Sequence, residues 1–151
     1  MMRRHRILIV DDEADILDSL RLTFEDDYEV VTAVGGKAGL DLLREGEVAV
    51  MIVDQRMPGM SGAEFLAYAA PLVPKAIRIM LTGYTDMDAL IAAVNAGQIY
   101  RYIAKPWEPQ ALKMDIHRAI ESYEMSAELE RRYEEILRLN RELEEARSRL
   151  E

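Results

Sequence analysis

The stretch VAVMIVDQRMPGMSG, residues 48–62, decides the fold. Its apolar run, Val48–Val53, ends abruptly in the carboxylate of Asp54 and a turn built on Pro58-Gly59. So short and so uniformly apolar a run predicts a strand covered on both faces, as in the centre of a parallel sheet. Working outward, four more β-branched runs share its character: Arg6–Val10, Glu29–Ala33, Ile77–Leu81 and Ile99–Ala104. Helical patterns separate them. The first spans Asp12 to Phe24, with Ile16, Leu17, Leu20 and Phe24 at helical spacing. A second follows Gly35-Gly36 with Leu40, Leu42 and Leu43, and a third covers Ala63–Ala70. The fourth lies in TDMDALIAAVNAG, with Thr85 or Asp86 as its cap and Gly97 just past its end. A fifth opens at Glu108-Pro109 and meets no glycine or proline before Glu151. This alternation predicts an α/β doubly wound parallel sheet.

Composition narrows the classes. The 151 residues carry 28 acidic and 19 basic side chains, a net charge of −9. An acidic chain is a poor match for the phosphate backbone, so no direct nucleic-acid binding is expected. The longest apolar runs fall far below the roughly 20 residues of a spanning helix, and MMRRHR lacks the apolar segment of a secretory signal, so no membrane partner and a cytoplasmic location are expected. With no cysteine and only His5 and His117, thiolate metal sites and disulfides are excluded.

Near Ser122 the composition changes. Residues 121–151 contain ten acidic and six basic side chains with no glycine or proline. Leu129, Ile136, Leu143 and Leu150 recur every seven residues, and two sets complete a second seam position: Tyr133, Asn140 and Arg147, or Arg132, Leu139 and Ala146. A solitary helix held by local ion pairs would use the same charges. The heptad favours a parallel homodimeric coiled coil, and an extension of 30 residues would be roughly 45 Å long. Residues 1–121 are read as one domain and 122–151 as a coiled-coil linker.

Chemistry concentrates after the strands. Asp11 and Asp12 follow the first, Asp54 the third, Thr82 the fourth and Lys105 the fifth. Singly, each has a plain explanation as a helix cap, a loop residue or a surface charge. In a parallel sheet, however, the carboxyl ends of strands converge on one pocket. Three carboxylates held together repel unless a cation lies between them, and an all-oxygen donor set points to Mg2+. Such a site handles phosphate: a lysine ammonium and a threonine hydroxyl stabilise phosphoryl oxygens while Asp54 attacks phosphorus.

The segments ILIVDDE, MIVDQRMPGMSG, IRIMLTGY and YRYIAKPW, in this order and spacing, closely resemble the receiver domain of bacterial two-component response regulators over roughly residues 5–122. The resemblance implies a flavodoxin-like (βα)5 fold with strand order 2-1-3-4-5. It implies a phosphoryl group accepted on Asp54 from a partner histidine kinase or phosphotransfer protein. Asp11 and Asp12 then match the magnesium-binding acidic pair, completed by Asp54 and the carbonyl of Arg56. Thr82 and Tyr102 match the coupled switch pair, Lys105 matches the phosphate-contacting lysine, and the Lys105–Pro106 peptide is expected to be cis. Arg56 and Tyr84 fall beside the attacking water's path, where bulk would slow loss of the phosphoryl group. Such a protein catalyses its own phosphorylation but is a switch rather than a metabolic enzyme. Its output would pass through helix five and the coiled coil, to a module absent from this chain or to partners that read the coiled coil directly; the GYTD…NAGQIYRYIAKPW stretch resembles receivers that precede HD-type phosphodiesterases or ATPase transcription activators.

Three other readings compete. A haloacid-dehalogenase-type phosphatase wants a second aspartate two residues after the nucleophile, where Arg56 stands. A flavodoxin-type flavin binder lacks its hydroxyl-rich loop after strand one. A receiver-like dimerisation scaffold would signal without phosphorylation, leaving the intact Asp11, Asp12, Asp54, Thr82 and Lys105 unexplained.

Overall fold

The computed structural model describes residues 4–83, 87–96 and 99–150. Five parallel strands, β1 (Arg6–Asp11), β2 (Glu29–Val34), β3 (Val50–Asp54), β4 (Ile77–Thr82) and β5 (Arg101–Ala104), pair in the order β2-β1-β3-β4-β5. Helices α1 (Ala14–Phe24), α2 (Gly36–Leu43), α3 (Gly62–Leu72), α4 (Met87–Asn95) and α5 (Pro109–Leu150) connect and follow them. This is the flavodoxin-like arrangement expected from the sequence, with the switch in strand order falling between β1 and β3.

All five residues of β3 are buried. Alternate residues feed two cores. Ile7, Ile9, Val50, Ile52, Ile79 and Leu81 pack with Leu17, Leu20 and Phe24 of α1 and Leu112, Ile116 and Ala119 of α5. Leu8, Val10, Met51, Val53 and Met80 pack on the other side with Leu43 of α2, Phe65 and Leu66 of α3 and Leu90 of α4. Trp107 packs against the first core.

Element ends differ from expectation by one to a few residues, each for a visible cause. Val48 and Ala49 are buried just ahead of β3, where the Ala49 backbone already bonds to both neighbours, its N–H donating to the Arg6 carbonyl at 2.9 Å and its carbonyl accepting the Ile77 N–H at 2.8 Å. Ile99 and Tyr100 likewise precede β5, with Tyr100 N–H bonded to the Arg78 carbonyl. Helix α1 starts at Ala14 rather than Asp12, because the Asp11 carboxylate accepts the Glu13 N–H at 2.9 Å and holds the acidic pair outside the helix. Helix α3 continues through Pro71 to Leu72; so close to the end, the missing N–H costs little. Gly35, at φ +87°, makes the turn into α2. Glu108 caps α5, its two carboxylate oxygens accepting Gln110 N–H at 3.1 Å and Ala111 N–H at 2.7 Å. The α4 caps expected at Thr85 or Asp86 and Gly97 lie outside the described residues.

Helix α5 is 42 residues long. Its first part supplies Leu112, Ile116, Ala119 and Ile120 to the core, and Tyr123 packs against the same cluster. Residues 131–150 are exposed throughout. No described helix is long and apolar enough to cross a membrane.

Candidate functional site

The site is built from strand ends. Asp11 closes β1, Asp54 closes β3, Thr82 closes β4, and Lys105 follows β5 directly. Parallel register puts them on one rim: Asp54 is level with Leu81 on β4, and Thr82 with Ala104 on β5. The sheet thereby joins groups more than 90 positions apart in the chain, Asp11 and Lys105 among them.

Asp54 is buried at 4 % exposure, and one of its oxygens accepts a hydrogen bond from Lys105 Nζ at 2.6 Å. A charged pair this close draws much of its strength from partial desolvation. Lys105 is held by its own N–H, which donates to the Thr82 carbonyl at 2.9 Å. The Lys105–Pro106 peptide is cis, as expected.

Asp11 is 1 % exposed. Its Oδ1 accepts the Glu13 N–H, while Oδ2 is buried with no hydrogen-bonding partner. Burial pushes its carboxyl up to about 6, further raised by Asp54, with the Glu13 N–H and Lys105 opposing. Asp12 is less buried. One oxygen from each of Asp11, Asp12 and Asp54 lies within 4.8 Å of the others, and these three residues form the one such cluster among the described residues. An orphaned buried oxygen, an all-carboxylate donor set and mutual repulsion all fit a hard divalent cation such as Mg2+.

Thr82 is buried, and its hydroxyl donates to the Gly83 carbonyl at 3.1 Å. Tyr102 lies outside this cluster, half exposed on β5. Arg56 is exposed on the β3–α3 loop, beside a cleft it shares with Asp12, Gln55, Met57, Pro58 and Ser61. Met57 is buried. Tyr84 lies outside the described residues.

Two supporting residues escaped sequence reasoning. Gln55 is buried, and its Oε1 accepts the Ala63 N–H at 2.9 Å, tying the end of β3 to the start of α3. Gly62 lies so close to the same strand end that a Cβ there would meet the Asp54 carbonyl oxygen at 2.5 Å. The only sequence sign was their place, a polar residue just after Asp54 and a glycine just after the helix cap Ser61.

Comparison with known proteins agrees with this geometry. Residues 7–117 match the family model described as the response regulator receiver domain. The hydrogenase transcriptional regulatory protein HoxA of Cupriavidus necator is 38 % identical over 125 residues, which is 83 % of this chain and 26 % of HoxA. This chain therefore spans about a quarter of the length of that relative. Among solved structures, a CheY-like response regulator receiver domain protein from Methanospirillum hungatei JF-1 superposes with a TM-score of 0.78 at 34 % identity, covering 82 % of this chain and 99 % of that one. The signal receiver domain of an HD domain-containing protein from Pseudomonas fluorescens Pf-5 gives 0.79 at 34 %, covering 85 % and 95 %. With five parallel strands in the order 2-1-3-4-5 and an aspartate cluster at their carboxyl ends, this chain belongs to the receiver family of two-component response regulators.

Proposed function

We propose that this chain is a Mg2+-dependent phosphoacceptor switch, phosphorylated on Asp54 by a histidine kinase or phosphotransfer protein. The reading rests on one observation above others: the buried Asp54 carboxylate, bonded to Lys105 at 2.6 Å, clusters within 4.8 Å with Asp12 and with Asp11, one of whose buried oxygens has no hydrogen-bonding partner. Asp11, Asp12 and Asp54 would hold the metal with the Arg56 carbonyl. When bound, Mg2+ supplies neutralisation of phosphoryl charge.

The chain's own residues do the rest. An Asp54 oxygen forms a bond to phosphorus as the phosphorus–nitrogen bond of the donor phosphohistidine breaks, and the imidazole leaves with the electron pair and takes up a proton. Lys105 turns from the carboxylate to a phosphoryl oxygen, keeping its charge paired throughout. The Thr82 hydroxyl exchanges the Gly83 carbonyl for another phosphoryl oxygen. Its inward turn vacates space that the exposed ring of Tyr102 can occupy.

That movement alters the face formed by α4, β5 and α5, where Met87, Ile91, Val94, Tyr102 and Met114 are already exposed. Helix α5 begins four residues after Lys105, so it carries the change away from the site toward an output module or partner. Residues beyond the core-packed part of α5 form a parallel homodimeric coiled coil, and the protein works in the cytoplasm as a signalling switch.

The test is incubation with Mg2+ and acetyl phosphate, read by intact mass. Wild type gains one phosphoryl group and Asp54→Asn gains none. No gain in wild type refutes the phosphoacceptor reading and favours a scaffold that signals without phosphate, whereas multiple turnover of unrelated phosphate esters favours a phosphatase.

A further inference from the structure

Two seams are open to the distal part of α5, sharing Leu129, Ile136, Leu143 and Leu150 but differing by one residue at every other layer. One continues through Tyr133, Asn140 and Arg147, the other through Arg132, Leu139 and Ala146. The way α5 leaves the domain separates them.

Tyr123 packs on the core, and its ring stands edge-on to His5 at 5.9 Å. Further along, Ala127 and Glu130 line a cleft with Pro74, Lys75 and Tyr100, and Lys75 Nζ pairs with Glu130 at 2.8 Å. The domain thus sits against one side of α5 as far as Glu130. Extending each seam one layer toward the domain gives different results. The first seam reaches Ser126, which lies on the wall of that cleft. A partner helix seated there would have to displace the Lys75–Glu130 pair. The second reaches Met125, 68 % exposed, and with about 3.6 residues per turn it lies roughly half a turn from the domain-facing side.

We infer that the occupant of this stripe is a second copy of the chain, paired in parallel through Met125, Leu129, Arg132, Ile136, Leu139, Leu143, Ala146 and Leu150. The inference rests on the homodimer proposed above and fixes its register. Apart from Arg132, every layer of this seam is apolar, while the other seam buries Ser126, Asn140 and Arg147. Leu129, Ile136, Leu143 and Leu150 are between 54 % and 89 % exposed in the single chain, a continuous stripe that a lone helix leaves in water.

Charge complementarity also selects the copy and the register. In this seam Glu128, Glu135 and Glu142 border the stripe at seven-residue intervals. Arg131 and Arg132 bond to Glu128, and Arg138 bonds to Glu135 and to one oxygen of Glu142, which leaves the second Glu142 oxygen without an ion pair of its own among the described residues. Arg147 then borders the seam on its other edge, at the spacing that places it opposite Glu142 of the second copy. The other register turns these glutamates outward and has no such pair. Arg132 is the one charge in the seam, and Glu128, bonded to it at 3.0 Å, offsets that charge at the seam's edge.

Because the chain has no cysteine, single-cysteine variants of the full chain report the register directly. Under mild oxidation, Met125→Cys, Leu139→Cys and Ala146→Cys should form disulfide dimers at least about tenfold faster than Ser126→Cys, Asn140→Cys and Arg147→Cys, because only seam positions bring equivalent Cα atoms within bridging distance. Leu143→Cys belongs to both registers and reports pairing itself. Faster reaction of the second set, or equal rates in both, overturns the register while a reactive Leu143→Cys leaves the dimer standing. An unreactive Leu143→Cys together with a monomer in sedimentation overturns the dimer and the register with it.

Discussion

Asp11 and Asp12 look alike on the page of the sequence, yet the fold gives them different work. Asp11 is buried with one oxygen satisfied by Glu13 and one orphaned, and burial raises its carboxyl to about 6. An acid whose folded value lies above its unfolded value of 3.8 binds more protons in the native state between those limits. Its contribution therefore lowers metal-free stability as pH rises from about 4 through about 6. Asp11→Asn keeps an oxygen for Glu13 and removes the buried charge. Metal-free Asp11→Asn should be more stable than wild type at pH 7 by about 1–2 kcal/mol, with the difference shrinking toward pH 4, and Mg2+ should no longer stabilise it. Chemical denaturation with and without Mg2+ at both pH values measures this; a variant less stable than wild type without metal at pH 7 contradicts the assignment. The convergence of Asp54 and Lys105 was legible because both follow strands. The asymmetry of the acidic pair was not, because it arises from the single hydrogen bond that keeps Asp12 out of α1.

Elements place these side chains only if their junctions hold. The β3–α3 junction leaves no room beside the Asp54 carbonyl, so Gly62→Ala must push strand end and helix apart. We expect a loss of about 2–4 kcal/mol in urea unfolding, and acetyl phosphate labelling slowed well beyond what the remaining folded fraction explains. Wild-type stability and labelling would show that the junction yields freely. At the start of α5 the problem is capping rather than space. Glu108 satisfies two N–H groups there, and Glu108→Ala should cost about 1 kcal/mol while leaving α5 helical by circular dichroism. Strand identity was readable from apolar runs, but their limits were not. Hydrophobicity reports burial, and Val48 and Ile99 contribute to the cores from outside the paired strands. Gln55 and Gly62 were invisible for the opposite reason: their roles come from a close approach between β3 and α3 that no local pattern encodes.

At the scale of the whole molecule, α5 is packed on the receiver along one part and exposed along the other, and the place where packing ends is the question. Composition changes near Ser122, which set the expected boundary at residues 121 and 122. Contacts with the receiver continue past it. Tyr123 rests on the first core, His5 Nε2 stands 3.3 Å from Glu124, and Lys75 reaches Glu130. A helix of 42 residues, roughly 63 Å long, is thus fastened to the receiver along its first half and free along its second. Sequence hid this because the fastening groups, a tyrosine and glutamates, also suit a solvated coiled coil. Two truncations separate the boundaries. A chain ending at residue 131 retains every such contact and should match the domain stability of the full chain once dimer formation is allowed for by dilution. A chain ending at residue 121 loses the Tyr123 packing and should be less stable by about 1–2 kcal/mol. Equal urea midpoints for the two truncations would put the boundary back where composition changes. A lower midpoint for the shorter one means that the residues between 122 and 131 are packed as part of the receiver, so that α5 moves with the domain as far as Glu130.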